Sequence, residues 1–331
     1  MEQVRVGIIG TGGMAQGHIR NLLQNPEASV TALCDIRDEA LTRTVERFPG
    51  LADAPQFADY REMIDSGLVD AVQIVTPHTT HYEQIMTSLD RGMHVLCEKP
   101  MTCSVEHAHN VLGKIEETGK VFVLGYQRHY QPEFLYIRDA IASGKFGKVE
   151  FVQGLQCQGW LKGCAGTWRH DPALSGGGQL NDSGSHLLAV LLFSTGLTVD
   201  RVAAFMENFH VPVDINSALT LEFVGGAQGN ISIVGNAPTW HEDITIWCEN
   251  GIFFMRNGKL ETCDAQGKRS TPSPDEMPAG NSPDANFINA ILGKEPVGSP
   301  AIWGLRVIEL TESAWKSVDE NRVVGVDHVA V

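Results

Sequence analysis

The sequence predicts two folds in series: an α/β doubly wound parallel sheet, then an α+β domain with a large, mostly antiparallel, open-faced sheet. Three observations predict them. Through the first 125 residues, short β-rich runs alternate with amphipathic helical patterns, the rhythm of strands joined by crossover helices. The earliest of these runs enters a glycine-rich turn. From Gly147 onward the pattern becomes alternating strand residues separated by turn signals, with too few helices to cover both faces of the resulting sheet. The expected division is 1–125 and 126–331, with a C-terminal helix at about 301–321 packing back on the first domain.

Composition narrows the function. The 331 residues, 43% of them hydrophobic, can bury two cores. A formal net charge of −15 without clusters of Lys and Arg argues against nucleic acid or an anionic membrane as partner. The start, Met1-Glu2-Gln3-Val4, runs straight into a strand with no basic segment and apolar stretch, and no later apolar run is long enough to span a bilayer, so a cytoplasmic protein is expected. Seven cysteines without a CxxC pair indicate neither a disulfide framework nor a zinc site, and no metal is expected.

Val4-Arg5-Val6-Gly7-Ile8-Ile9 enters Gly10-Thr11-Gly12-Gly13-Met14-Ala15, and an amphipathic pattern through Ile19, Leu22 and Leu23 follows. This is a Rossmann-type opening of strand, glycine turn and helix. Its first two glycines permit a tight turn and close approach of a pyrophosphate, the small Ala15 lets helix and strand pack, and the helix N-terminus favours negative charge. The plain alternative is a glycine turn between any strand and helix. The next strand, 28–34, ends at Asp35, about 20 residues past the turn, where a carboxylate can bind both ribose hydroxyls of an adenosine. That favours NAD. Arg37, two residues on, can instead meet a 2′-phosphate, which keeps NADP open. Asp35 can also be a turn or N-cap residue for the helix at 38–48.

A short element at 56–58, a helix at 60–66 and a strand at 69–75 lead to Thr76-Pro77-His78-Thr79-Thr80-His81. His78 and His81 either line a nicotinamide or cap and pack the helix that runs to Arg91. Strand 95–97 then delivers Glu98-Lys99-Pro100. Ligands of open α/β sheets bind beyond the carboxyl ends of the strands, so a lysine there, stiffened by the following proline, can point into a site. An ordinary solvated lysine is the alternative. A helix at 104–118 and a strand at 121–124 complete this half.

GTGGMA after the first strand, an acidic residue after the second, TPHTTH and then EKP together resemble the glucose-fructose oxidoreductase, inositol dehydrogenase and rhizopine catabolism (Gfo/Idh/MocA) family. The resemblance implies that Lys99 serves both nicotinamide and substrate, and that Thr76, Pro77 and the two histidines lie along the cofactor. Glu98 is then a partner behind the lysine or a nicotinamide-ribose contact. Gly125-Tyr126-Gln127-Arg128-His129-Tyr130-Gln131-Pro132 is similar to the family's crossover. This implies Tyr126 and Arg128 near the substrate and Gln127 near the cofactor, with interdomain packing as the alternative for Tyr126 and Arg128.

In the second half a helix with Phe134, Leu135, Ile137 and Ile141 ends at Gly144. The loop from Gly159 to Pro172 carries Trp160, Trp168 and Arg169, with Cys157 and Cys164 flanking the first part of it. Indole faces suit the apolar face of a sugar ring while Arg and Lys bind its hydroxyls; alternatively the tryptophans anchor the loop. Ser175-Gly176-Gly177-Gly178-Gln179-Leu180-Asn181-Asp182-Ser183-Gly184-Ser185-His186 leads into a buried helix. Asp182 and His186, four apart, are expected on one face of that helix, the histidine able to take a hydroxyl proton and the carboxylate able to orient it. A core histidine satisfied by an aspartate is the plain alternative, but GGGxLxDxGxH is similar to the family's catalytic motif.

Strands are expected at 202–206, 218–223, 229–234, 243–248 and 251–256, with Trp240, His241 and Glu242 interrupting them and an exposed loop at 271–281. Helices follow at 284–292 and 301–321. The resemblance implies a homodimer or homotetramer formed through the open face of the second sheet. The expected function is NAD(P)-dependent hydride transfer between nicotinamide and a secondary alcohol or ketone carbon of a sugar, sugar derivative or polyol. Lys99, Asp182 and His186 are its catalytic residues. Two alternatives stand beside it: redox-neutral glycoside cleavage through transient oxidation and elimination, and a non-catalytic NAD-binding regulator.

Overall fold

The computed structural model describes residues 3–328. They divide into two units, one of residues 3–102, 106–127 and 281–304, the other of 103–105, 128–280 and 305–328.

The first unit runs β1 (Val4–Ile9), α1 (Ala15–Gln24), β2 (Ala28–Cys34), α2 (Asp38–Arg47), β3 (Gln56–Phe57), α3 (Tyr60–Asp65), β4 (Ala71–Ile74), α4 (His81–Asp90), β5 (His94–Cys97), α5 (Val105–Thr118) and β6 (Phe122–Leu124). All six strands are parallel, in the order β3-β2-β1-β4-β5-β6. The order reverses at β1, whose neighbours are β2 and β4, so a crevice opens beyond the ends of β1 and β4, where the glycine turn and Thr76 lie. Val6 and Ile8 of β1, Leu33, Leu96 and Val123 of the flanking strands, and Ile19 and Leu22 of α1 form the core of this unit.

The second unit begins with α6 (Pro132–Ala142), β7 (Val149–Cys157), α7 (Trp160–Gly163), α8 (Pro172–Ser175) and α9 (Gly184–Thr195). Strands β8 (Val199–Glu207), β9 (Asn216–Phe223), β10 (Gln228–Val234), β11 (His241–Cys248), β12 (Gly251–Arg256), β13 (Lys259–Asp264) and β14 (Arg269–Ser270) follow. After them come α10 (Pro283–Ile291), which belongs to the first unit, α11 (Ile302–Glu320) and β15 (Val324–Gly325). The nine-stranded sheet has the order β14-β13-β12-β11-β7-β10-β9-β8-β15 and is antiparallel except where β7 and β10 run parallel.

Helix α9 is apolar nearly all round, and every residue from Leu187 to Thr195 is buried, as a helix without a polar face must be. It lies close on β7 because Gly154 has no side chain there: a Cβ at that position would stand 3.0 Å from Leu191 and 3.2 Å from Leu187. Burying Leu187, Leu188, Leu191 and Leu192 contributes about 1.5–3 kcal/mol each. The helix stops at Gly196, whose φ of 68° supplies the left-handed turn that other residues resist. On the other face of the sheet side chains stay partly or fully open, including Phe205, which is 75% exposed, and the edge-to-face pair Phe151 and Trp247.

Helix α10 lies on the first sheet: Phe287 and Ile288 are fully buried in the first core, and Ser282 and Pro283 start the helix by capping. From Leu305 onward α11 belongs to the second unit, where Trp315 Nε1 donates to Asp214 at 3.1 Å and Ser317 Oγ accepts from the Ala204 amide at 3.0 Å. His241 and Glu242 do not interrupt the strands but open β11, paired with Cys157 and Gln156 of β7.

Candidate functional site

In the first unit the glycine turn is built for close approach. Gly10 has φ +88°, and a Cβ there would stand 2.5 Å from the carbonyl oxygen of Val75 on the neighbouring strand, so only glycine fits. Gly12 and Gly13 face open space. Met14, at the N-cap of α1, offers no side-chain acceptor to the helix amides, while Ala15 is fully buried against the core. Asp35 accepts from the Thr11 amide at 2.8 Å and from the Arg37 amide at 3.0 Å, fixing the end of β2 beside the turn. The Arg37 guanidinium is mostly exposed and 3.6 Å from that carboxylate. Ile36, which the sequence reading passed over, is 88% exposed. A dinucleotide fits this arrangement: uncapped helix amides for the pyrophosphate, a carboxylate for the ribose and an apolar surface for the adenine.

Thr76 donates through Oγ1 to Gln84 at 2.6 Å, and the Thr80 hydroxyl donates to the Pro77 carbonyl at 2.7 Å, so the segment after β4 is tied to its own helix. His78 is buried. His81, an expected cofactor contact, is fully buried, with its ring nitrogens 2.7 Å from the Pro100 carbonyl and 2.9 Å from the Thr76 carbonyl. Burial pushes its imidazole below the ordinary value, and neutral imidazole has one N–H for the two carbonyls. Its place is between the ends of β4 and β5, where it links the Thr76 carbonyl to the Pro100 carbonyl.

Lys99 is buried at the end of β5, its amide donates to its neighbour Glu98 at 3.2 Å, and the Lys99–Pro100 peptide bond is cis. Glu98 is also buried, against Gly125, where a Cβ would come within 2.8 Å of Glu98 Oε1. Tyr126 is almost completely buried and Gln127 exposed.

In the second unit Asp182 does not lie on the helix with His186. It sits in the turn before α9, and His186 is in the first turn of the helix. The Asp182 carboxylate accepts from Trp160 Nε1 at 3.0 Å and from Arg169 Nε at 2.8 Å. Trp160 therefore anchors the loop: its indole N–H is committed to Asp182 and its ring packs with Val213 and Ile215. The Arg169 guanidinium lies 4.5 Å from the centre of the half-buried Trp168 ring. Arg128, expected at the substrate, is held by both carboxylate oxygens of the buried Glu242, with its guanidinium 4.8 Å from the Phe134 ring centre.

Two groups escaped the sequence reading. Asp214 accepts from the amides of Gly178 at 3.1 Å and Leu180 at 2.8 Å, and its carbonyl accepts from Gln179 at 2.8 Å, so it fixes the loop that leads to Asp182. Burial pushes the Asp214 carboxyl above its ordinary value. Gln179 is fully buried and, among the described residues, neither of its amide atoms has a hydrogen-bond partner, nor has Gln156 Oε1. Buried amides of this kind are rare, and a polar ligand can satisfy them. Gln156 was visible in principle: it shares the inward strand phase of Val152 and Gly154, where an apolar residue is the norm.

A surface cavity of about 680 Å³, lined by Phe254, Arg256, Lys259, Leu260 and Arg269 among others, contains none of the residues above. Among the described residues no three His, Cys, Asp or Glu side chains are grouped as metal ligands would be. None of their helices is long and apolar enough to cross a membrane.

Comparison with known proteins agrees with this geometry. Residues 4–126 match the oxidoreductase family model described as an NAD-binding Rossmann fold, and residues 134–254 match the GFO/IDH/MocA C-terminal domain. The chain belongs to the Gfo/Idh/MocA oxidoreductase family, and its first unit is the family's NAD-binding domain. It is 30% identical over 340 residues to the rhizopine catabolism protein MocA of Rhizobium meliloti, covering 98% of this chain and 99% of that one. It is 27% identical over 289 residues to the scyllo-inositol 2-dehydrogenase (NAD(+)) of Bacillus subtilis, covering 82% and 80%. A levoglucosan dehydrogenase solved with NADH and L-sorbose superposes with a TM-score of 0.89 over 99% of this chain and 100% of that one at 19% identity, a likeness of fold.

Proposed function

We propose that the protein is an NAD-dependent dehydrogenase of a polyol, sugar or sugar derivative, acting on a secondary alcohol carbon or, in reverse, on the ketone. The observation that carries this reading is the buried Asp182 carboxylate, fixed by Trp160 and Arg169 and followed by His186 in the first turn of α9. Bound NAD supplies the acceptor for the hydride. His186 takes the hydroxyl proton, a role for which imidazole is suited at neutral pH. Asp182 accepts from a substrate hydroxyl and orients the histidine. Lys99 holds the reacting oxygen and favours its loss of a proton. The unpartnered amide of Gln179 and the unpartnered Oε1 of Gln156 support a hydroxyl-rich substrate. Asp35, held beside the glycine turn by the Thr11 amide on one oxygen and the Arg37 amide on the other, supports NAD over NADP.

A homo-oligomer formed through the open face of the second sheet is part of the proposal. The exposed Phe205 and the Phe151 and Trp247 pair on a sheet face without helices support it.

The test is a panel of cyclitols, sugars and glycosides assayed with NAD and with NADP, following both NADH and product. NADH formed in step with a ketone is expected. Aglycone release without NADH would replace this reading by the redox-neutral one.

A further inference from the structure

One buried polar cluster is not used by the proposed chemistry. His18, on the inner side of α1, is 7% exposed; its Nε2 lies 3.1 Å from Glu98 Oε1 and its Nδ1 2.7 Å from Asp284 Oδ1. Asp284, in the first turn of α10, also accepts from Gln73 Nε2 of β4 at 2.9 Å and from Asn21 Nδ2 of α1 at 2.7 Å. The second oxygen of Glu98 accepts from the Lys99 amide. A chain of contacts thus runs from the helix that follows the glycine turn, through two carboxylates and an imidazole, to the backbone of the lysine.

We propose that His18 is a positioning residue: as an imidazolium donating to Asp284 and Glu98 at once, it clamps Glu98 so that Glu98 holds the Lys99 backbone in its working orientation. This rests on the role given to Lys99 above.

The geometry requires the charged form. Both ring nitrogens face carboxylate oxygens, and an ionised carboxylate only accepts, so a neutral ring would set one lone pair against a negative charge. Burial pushes the imidazole down, but the hydrogen bonds to Asp284 and Glu98 and their charges more than offset it and raise it to about 10. Burial likewise pushes Asp284 up, while His18, Asn21 and Gln73 hold it below the ordinary carboxylate value. The other titratable groups nearby are His81, which the charge of Glu98 reaches, and Lys99, whose charge acts on His81. Two carboxylates against one imidazolium leave one negative charge, and the amides of Asn21 and Gln73 spread it over Asp284.

The clamp can be read without substrate or cofactor. In the free protein labelled with ¹⁵N-histidine, both ring nitrogens of His18 should remain protonated from about pH 6 to about pH 9. A ring with a single N–H at neutral pH would overturn the proposal even if no variant folds. In His18→Gln, both N–H bonds leave a single nitrogen and carry no positive charge, so they cannot stand in for donors on two separate ring nitrogens, and hydrogen exchange at the Lys99 amide should quicken. In the dehydrogenase assay, kcat should fall ~10-fold or more while KM for NAD changes little, the pattern of a misplaced catalytic group. The double variant His18→Gln/Asp284→Asn restores a donor for each acceptor: the introduced glutamine donates its amide N–H to Glu98, and its oxygen accepts from the amide of the introduced asparagine. Gln73, whose Oε1 has no partner among the described residues, can turn its amide over to match. The double variant should slow Lys99 exchange and recover kcat. Folded variants with unchanged exchange and unchanged kcat would refute the clamp. Because the resonance and exchange measurements need no turnover, a failure of the dehydrogenase reading would leave them interpretable, and a failure of the clamp would leave the dehydrogenase reading standing.

Discussion

His18→Gln also has a consequence for stability that depends on pH. In the unfolded chain the imidazole titrates at its ordinary 6.5, and in the folded protein at about 10. Below 6.5 both states hold the proton and the stabilisation is complete. Above it the unfolded chain loses its proton while the folded protein keeps one, so stability falls by about 1.4 kcal/mol per pH unit until the folded group titrates as well. Across the interval from 6.5 to about 10 this amounts to ~5 kcal/mol. That figure is a ceiling, because the depression of Asp284 arises from the same contact and must not be added to it. Urea unfolding of wild type and variant, followed by circular dichroism at intervals from about pH 6 to about pH 9, isolates the effect of the His18 cluster, since groups that do not touch it contribute equally to both proteins. The gap between the two proteins should be widest at the acid end and shrink by about 1.4 kcal/mol for each pH unit. A gap that stays constant would mean that His18 is not charged in the folded protein.

Other perturbations have separate outcomes. Gly10→Ala puts a methyl group 2.5 Å from the Val75 carbonyl at a φ of +88°; the turn must move, and NADH affinity measured by fluorescence titration should fall ~10-fold or more. Glu242→Ala leaves Arg128 buried without its partner and should cost about 3–5 kcal/mol by urea unfolding, without a selective effect on cofactor binding. Asp35→Ala removes the acceptor for Thr11 and for a ribose, so kcat/KM should drop much more with NAD than with NADP; an equal loss for both would argue that Asp35 only shapes the turn.

What was legible in the sequence was local in the chain. The glycine turn, the acidic end of β2, Glu98-Lys99-Pro100 and the run from Gly176 to His186 each carry their chemistry within a dozen residues, and the structure keeps each as a continuous piece. The period-two pattern likewise revealed β8 to β12, though β11 begins earlier than expected because Glu242 turns inward to meet Arg128. What the sequence did not announce are partners that are distant along the chain. His18 and Asp284 are 266 residues apart, and Arg128 and Glu242 are 114 apart; nothing in the spacing of either pair announces the contact. The bond from the Trp160 N–H to Asp182 was equally hidden, because the two lie 22 residues apart. The return of α10 to the first sheet was hidden for the same reason: an amphipathic helix shows that it has an apolar face, not which sheet that face covers.

The most direct measurement is hydride transfer itself in wild type and His186→Ala, with the substrate that the polyol and sugar panel selects and with NADH and ketone both quantified. The wild type should form the two in equal amounts. His186→Ala should lose ~10²- to 10⁴-fold in turnover near neutral pH while binding NADH with little change. Full turnover in the variant, or a wild type that binds NADH yet oxidises no alcohol in the panel, would contradict the assignment of His186 as the group that takes the proton.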